Sequence, residues 1–185
     1  MREIVRQLVH FLLGAFFAGL VYFKGTLFSL EIAVVVFLVG LILALVLAIF
    51  EKPKHVHHIV RFVGRKREVF PGQAALLFQL AIIVTLLFFV FQPSSIAFGA
   101  LLCLAVGDSM ATVVGTRWGT HKLLPNRSME GTFAGFAFSA IALFLFFNLP
   151  VALVAAAVGM AAEFLPIDDN FAIPLFSGLA LMLLL

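Results

Sequence analysis

Seven apolar runs, at about 7–24, 30–50, 73–91, 95–118, 131–147, 150–165 and 171–185, are separated by short polar segments along the whole chain. Coiled at ~1.5 Å per residue, each approaches or exceeds the thickness of a ~30 Å hydrocarbon layer. The pattern predicts an all-α fold: a polytopic transmembrane helical bundle of about seven spans. It forms a single integral-membrane domain over 1–185, with cytoplasmic loops at about 51–72, 119–130 and 166–170. The first run has no small-residue cleavage pattern behind it and reads as a retained helix rather than a signal peptide.

Inside the fourth run, every fourth residue is small: Gly99, Cys103, Gly107, Ala111, Gly115, and beyond them Gly119. Such a row lets a second helix come close, and Gly131, Gly135 and Ser139 in the fifth run form a natural partner. The two rows should pack closely or leave a narrow slot for a lipid. Asp108, Thr112, Thr116 and Thr120 make a polar ridge beside the first row. The second run is almost wholly aliphatic and is expected to face lipid, Ala33 and Ala44 included.

The loops differ in character. In 119–130, Pro125 and Asn126 break the chain, Ser128 is placed to cap the next helix, and Glu130 falls in its first turn. Free amides at that helix start, beside Lys122 and Arg127, would suit a phosphate. In 51–72, Val56, Ile59, Val60 and Val63 recur at helical spacing among basic residues, as in a helix lying on a membrane surface. His55, His57 and His58 lie there without a Cys or carboxylate at ligand spacing, which argues against a metal site. Arg65, Lys66 and Arg67 suit anionic headgroups, and Arg67 with Glu68 equally suits a phosphate site.

Composition narrows the class. The 185 residues are 64% hydrophobic and 11% charged, with a mean hydropathy of +1.20, so no soluble domain is left over. With the N-terminus cytoplasmic, eleven of the 12 Lys and Arg fall on the inner side and Lys24 alone outside. The basic balance therefore reflects topology, and nucleic acid is not an expected partner. The lone Cys103 cannot form an internal disulfide and reads as packing. A homo-oligomer is compatible with these features.

Against this background 107–131 stands out, gathering Asp108, Arg117, Lys122, Arg127 and Glu130 between two apolar runs. Asp108 lies ten residues, ~15 Å along a helix, from the interfacial Trp118. An acid at that depth costs ~2.5–3.5 kcal/mol on insertion scales unless it faces protein or water. Glu163 ends the sixth run on the same side, followed by Pro166, Asp168, Asp169 and Asn170. His10, four residues after Arg6, sits just inside the first run. Carboxylates at one boundary suit Mg²⁺, which takes one or two of them together with substrate phosphates and water.

Gly107, Asp108, Ala111, Gly115, Gly119 and Lys122, then Arg127, Ser128, Glu130 and Gly131, then Glu163, Pro166, Asp168, Asp169 and Asn170, resemble in order the motifs of the CTP-dependent lipid-alcohol kinases. That family includes dolichol and polyprenol kinase, phytol kinase and the yeast-type diacylglycerol kinase. Arg6 and His10, and Arg67, Glu68 and Gly72, look like its weaker N-terminal signals. The likeness spans nearly the whole chain, at the size of a minimal prokaryotic member. Arg127 stands where the family usually has Lys.

The resemblance implies a kinase that phosphorylates a membrane-embedded lipid alcohol with CTP and Mg²⁺ at the cytoplasmic face, the cell membrane if the source is prokaryotic. It implies catalytic roles for Asp108, Glu130, Asp168 and Asp169, the three aspartates also holding metal. Nucleotide contacts would come from Gly107, Gly115, Gly119, Lys122, Arg127, Ser128, Gly131 and Asn170, with His10, Arg67, Glu68 and Glu163 in support. Two alternatives stand beside it: a CTP-dependent cytidylyltransferase that makes a CDP-lipid, which needs the same parts, and a small transporter or channel, whose intramembrane acids would carry ions and whose basic loop would have no role.

Overall fold

The computed structural model describes residues 2–49, 72–125 and 127–185, and within them the apolar runs form seven helices. Helices α1 (Arg2–Lys24) and α2 (Thr26–Ile49) meet at Gly25, whose φ of 84° lets the chain reverse where a side chain would strain it. Then come α3 (Gln73–Phe88) and α4, which runs Ser94–Trp118 with a π-helical turn at Leu104–Asp108. They are followed by α5 (Met129–Phe144), α6 (Leu149–Ala161, extended by a 3₁₀ turn Ala162–Phe164) and α7 (Asp169–Leu184). Arg67, Glu68 and the basic surface helix expected around them lie outside the described residues, as does Asn126.

Side chains start the last three helices. Ser128 accepts from the amide of Gly131 at 3.2 Å, Asn148 from Val151 at 3.0 Å, and Asp168 from Asn170 at 3.0 Å. Each satisfies an amide that a helix start would otherwise leave unpaired. The expected loop 119–130 is in part a small antiparallel hairpin, β1 (Lys122–Leu124) against β2 (Arg127–Ser128), with Lys122 opposite Ser128 and Leu124 opposite Arg127. Pairing across the Pro125 turn supplies backbone partners that an open hinge would lack.

Three stretches, Ile4–Lys24, Thr26–Val46 and Ser94–Trp118, are long and apolar enough to cross a membrane. The other helices are apolar but shorter. Helix α4 is central: its first half packs against α1 and α7 and its second against α5, around buried Phe17, Phe78, Phe89, Leu101 and Leu181. Large apolar side chains cover much of the outside, including Leu12, Phe16, Val39, Ile42, Phe133 and Ile141.

The paired small rows are in place. A Cβ on Gly131 would lie 2.6 Å from the Ala111 carbonyl oxygen and 2.9 Å from the Gly115 Cα. On Gly135 it would lie 2.9 Å from the Gly107 oxygen and 3.0 Å from the Ala111 Cβ. The helices therefore touch backbone to backbone, and of the two expected outcomes it is close packing, with no slot between them. Toward its start the row turns elsewhere: Gly99 faces Leu181 and Phe147, and Cys103 meets Gly159 of α6.

Helix α2 departs from the expectation of a wholly outward-facing scaffold. Most of it is exposed, but Ala33 is 0% and Ala44 7% exposed, because these small residues form the face against its neighbours. Gln79 of α3 donates to the Ala33 carbonyl at 3.1 Å. We therefore expect Ala33→Leu to destabilise the protein by ~1–3 kcal/mol through overpacking, and Val39→Leu on the outer face to have little effect. Thermal unfolding of the two variants in detergent checks this.

Candidate functional site

Five helices and the hairpin bring their ends together around one cavity of about 990 Å³. The second half of α4 contributes Asp108, Ala111, Thr112, Gly115 and Thr116. The hairpin supplies Lys122, Leu124, Pro125, Arg127 and Ser128, and the first turn of α5 adds Gly131 and Thr132. Glu163 comes from the turn after α6, and Asp168, Asp169 and Asn170 from the start of α7. On the other side stand Arg6, Gln7 and His10 of α1 and Gln73, Ala74 and Leu77 of α3. Residues more than 160 positions apart in sequence thus share one wall-to-wall space.

Asp108 closes the π turn of α4. A π turn inserts one extra residue into the helical ladder and often marks a functional position. The charged groups that act on the Asp108 carboxyl are Asp169, Arg6, Asp168 and Arg127, drawn from three segments: the start of α7, α1 and the hairpin. Immediately after it, the Ser109 hydroxyl donates to the Gln7 carbonyl at 3.4 Å, tying this turn of α4 to α1.

Arg127 is the centre of the charged wall. One arm of its guanidinium is bonded to the Asp169 carboxylate, and the other, Nη1, lies 3.8 Å from Glu163 Oε2. Glu163 also accepts from the Thr132 hydroxyl at 3.1 Å. At 3.8 Å the second arm is an ion pair but not a hydrogen bond, and Nη1 is buried with its donor unspent. Lys122 borders the same cavity but is exposed.

Two of the amides expected to be free at the start of α5 are engaged. Met129 donates to the His121 carbonyl at 2.9 Å and Gly131 to Ser128. The cationic groups that border the cavity on this side are Arg127 and Lys122.

Three of the residues singled out in the sequence stand off the cavity. Glu130 accepts from the Thr120 hydroxyl at 2.5 Å, and from the His121 amide at 3.1 Å and Nδ1 at 2.7 Å. These bonds, the Thr120 hydroxyl first and His121 next, hold its carboxyl well below the usual carboxylate range. Glu130, ahead of the apolar run of α5, thus ties the hairpin's entrance to that helix. Gly107 allows contact with Ser139 and Met160, where a Cβ would come within 2.6 and 2.8 Å. Gly119 lies tight against the Gly115 carbonyl and the Ser128 side chain.

His10 makes a hydrogen bond through Nδ1 with the Arg6 carbonyl at 3.0 Å, and its ring lies 4.4 Å from that of Phe78. Among the described residues, no three His, Cys, Asp or Glu side chains converge as a metal cage. Asp168 accepts from the Asn170 side chain at 2.7 Å, and Asp169 is engaged with Arg127. This all-oxygen set suits a hard cation that brings most of its ligands with it, as Mg²⁺ on a polyphosphate does. Sequence reasoning overlooked Gln7, Gln73 and Thr132. Gln7 and Gln73 are polar residues at the edges of apolar runs, and Thr132 directly follows Glu130-Gly131.

No family model matches the chain, and no solved structure matches it. A protein of Methanocaldococcus jannaschii described as "Uncharacterized protein MJ1137" is 27% identical over 178 residues, covering 94% of this chain and 90% of that one.

Proposed function

We propose that the protein is a CTP-dependent lipid-alcohol kinase that spans the membrane seven times, with its N-terminus and its cavity on the cytoplasmic side. The observation that carries this reading is the charged wall: a guanidinium with one donor unspent, set between two carboxylates, in a cavity that also holds Asp108 and Lys122. Phosphoryl transfer asks for cations along a polyphosphate and for carboxylates near the reacting groups. Arg6, Lys122 and Arg127, which the cytoplasmic assignment puts on one side of the membrane, all line the cavity, which supports that sidedness. The nucleotide's identity as CTP rests on the family resemblance.

In this reading Arg127 and Lys122 hold the phosphates, and Asp108 and Asp169 face the metal that accompanies them. Mg²⁺, when bound, neutralises charge on the phosphates. The alcohol oxygen bonds to the terminal phosphorus, the bond from that phosphorus to the nucleoside diphosphate breaks, and the alcohol proton passes to a carboxylate of the site. Polyprenol, dolichol or a related prenol is the acceptor class.

The test is incubation of purified protein with labelled CTP, Mg²⁺ and a panel of lipid alcohols. CDP and a lipid monophosphate are the expected products. Pyrophosphate release with a lipid phosphate as substrate would make it a cytidylyltransferase. Ion flux without nucleotide turnover would make it a transporter.

Lys122→Ala should raise KM for the nucleotide about tenfold, the ~1.4 kcal/mol of one exposed phosphate contact, without altering thermal stability. Arg127→Ala should lose nucleotide binding and also ~3–5 kcal/mol of stability, because it strands Glu163 and Asp169 beside each other. Arg127→Lys should restore only part of both, since one ammonium cannot reach two carboxylates as a fork does. Titration of nucleotide binding beside a thermal melt separates the two effects.

A further inference from the structure

We propose that the α1–α3 face of the cavity holds the hydroxyl end of the acceptor lipid and that Gln7 is the residue that positions it. This rests on the kinase reading above and assigns a substrate to the wall opposite the carboxylates and the hairpin cations.

The two sides of the cavity differ in chemistry. The hairpin, α5, Glu163 and α7 concentrate cations and carboxylates, as a nucleotide with its metal requires. The opposite side offers Gln7, His10, Gln73, Ala74 and Leu77, with Arg6 as the charged member. Gln7 is only 4% exposed, yet its Oε1 has no hydrogen-bond partner. A buried amide oxygen is a feature that native structures rarely leave unpaired. It accepts hydrogen bonds and carries no positive charge, so a phosphate is the wrong ligand for it and a neutral hydroxyl the right one.

The location agrees. The bond from Ser109 to the Gln7 carbonyl sets this turn of α1 against the residue after Asp108, so a hydroxyl held by Gln7 lies at the boundary between the two walls. Leu77, 39% exposed, gives the same face an apolar rim that suits a prenyl chain. The contact of His10 with Phe78 backs it one residue further along α3. Because α4 and α5 touch backbone to backbone, their seam offers the lipid no alternative path.

The experiment combines kinetics with photolabelling by a prenol that carries a diazirine on its chain. Gln7→Leu should raise KM for the prenol about tenfold while the Kd for Mg²⁺–CTP stays within twofold. A residue that only supported the fold would move both. The label on the intact wild-type protein should map to α1 and α3 near Leu77 and be displaced by unlabelled prenol. Labelling of α4 and α5 instead, or an unchanged prenol KM in Gln7→Leu alongside active wild type, overturns the subsite and leaves the kinase reading standing. If the wild type itself phosphorylates no alcohol in the panel, the kinase reading fails and this assignment with it.

Discussion

If the protein is the kinase proposed above, Asp108→Asn is expected to lower phosphoryl transfer by about a thousandfold, ~4 kcal/mol in the barrier, with the fold and the insertion of the chain unchanged. Asparagine has nearly the same shape, so the π turn and the neighbouring Ser109 bond to Gln7 can persist. What is removed is the ability to hold a metal or accept a proton at the point where the two walls of the cavity meet. Turnover at saturating Mg²⁺ and CTP, with a thermal melt of the same sample, gives the answer. Near-normal turnover would remove Asp108 from the chemistry. The alanine variants of the α7 acids are less clean probes. Asp168 caps α7, a contact worth ~1 kcal/mol, and Asp169 holds Arg127, so each changes structure as well as charge.

The second large effect is expected from Gly135→Leu. A Cβ there already meets the Gly107 carbonyl oxygen at 2.9 Å, the Ala111 Cβ at 3.0 Å and the Met160 side chain. Two of these lie on α4, so the helices must separate rather than a side chain swing aside. We expect ~3 kcal/mol or more of destabilisation, the upper end of overpacking penalties. Nucleotide binding should fall with it, since Arg127 and Ser128 lead directly into α5 and move when it moves. A folded Gly135→Leu protein that binds nucleotide normally, shown by a melt and a binding titration, would mean that the α4–α5 contact does not position the charged wall.

Much of this architecture is legible from residue order because it depends on local rules. Apolar run length marks the seven helices, and Ser128, Asn148 and Asp168 act as helix starts through bonds to amides two or three residues on. The matching small rows of α4 and α5 reflect the same every-fourth-residue spacing. The charged constellation could be placed at one end because successive spans reverse direction. The burial of Ala33 and Ala44 was not legible, because α2 is apolar on nearly every side and no periodicity tells the inner face from the outer. Nor was the π turn, which no residue pattern in 104–108 announces. The hairpin escaped notice because three residues facing two are too few to show alternation. Gln7 escaped because a single amide beside Arg6 looks like the end of a span, and its importance appears only when its neighbours leave its oxygen without a donor.

The placement of Arg127 between Glu163 and Asp169 bears on how the protein comes into being. Its two acidic partners are made 36 and 42 residues later, the second on the last helix of the chain. A nascent protein that has made α5 but not α7 holds a guanidinium whose Asp169 partner does not yet exist, so its final docking waits on the synthesis of α7. The charged wall is therefore assembled only after α7 has been made, and a product truncated before α7 lacks Asp168 and Asp169 at the cavity.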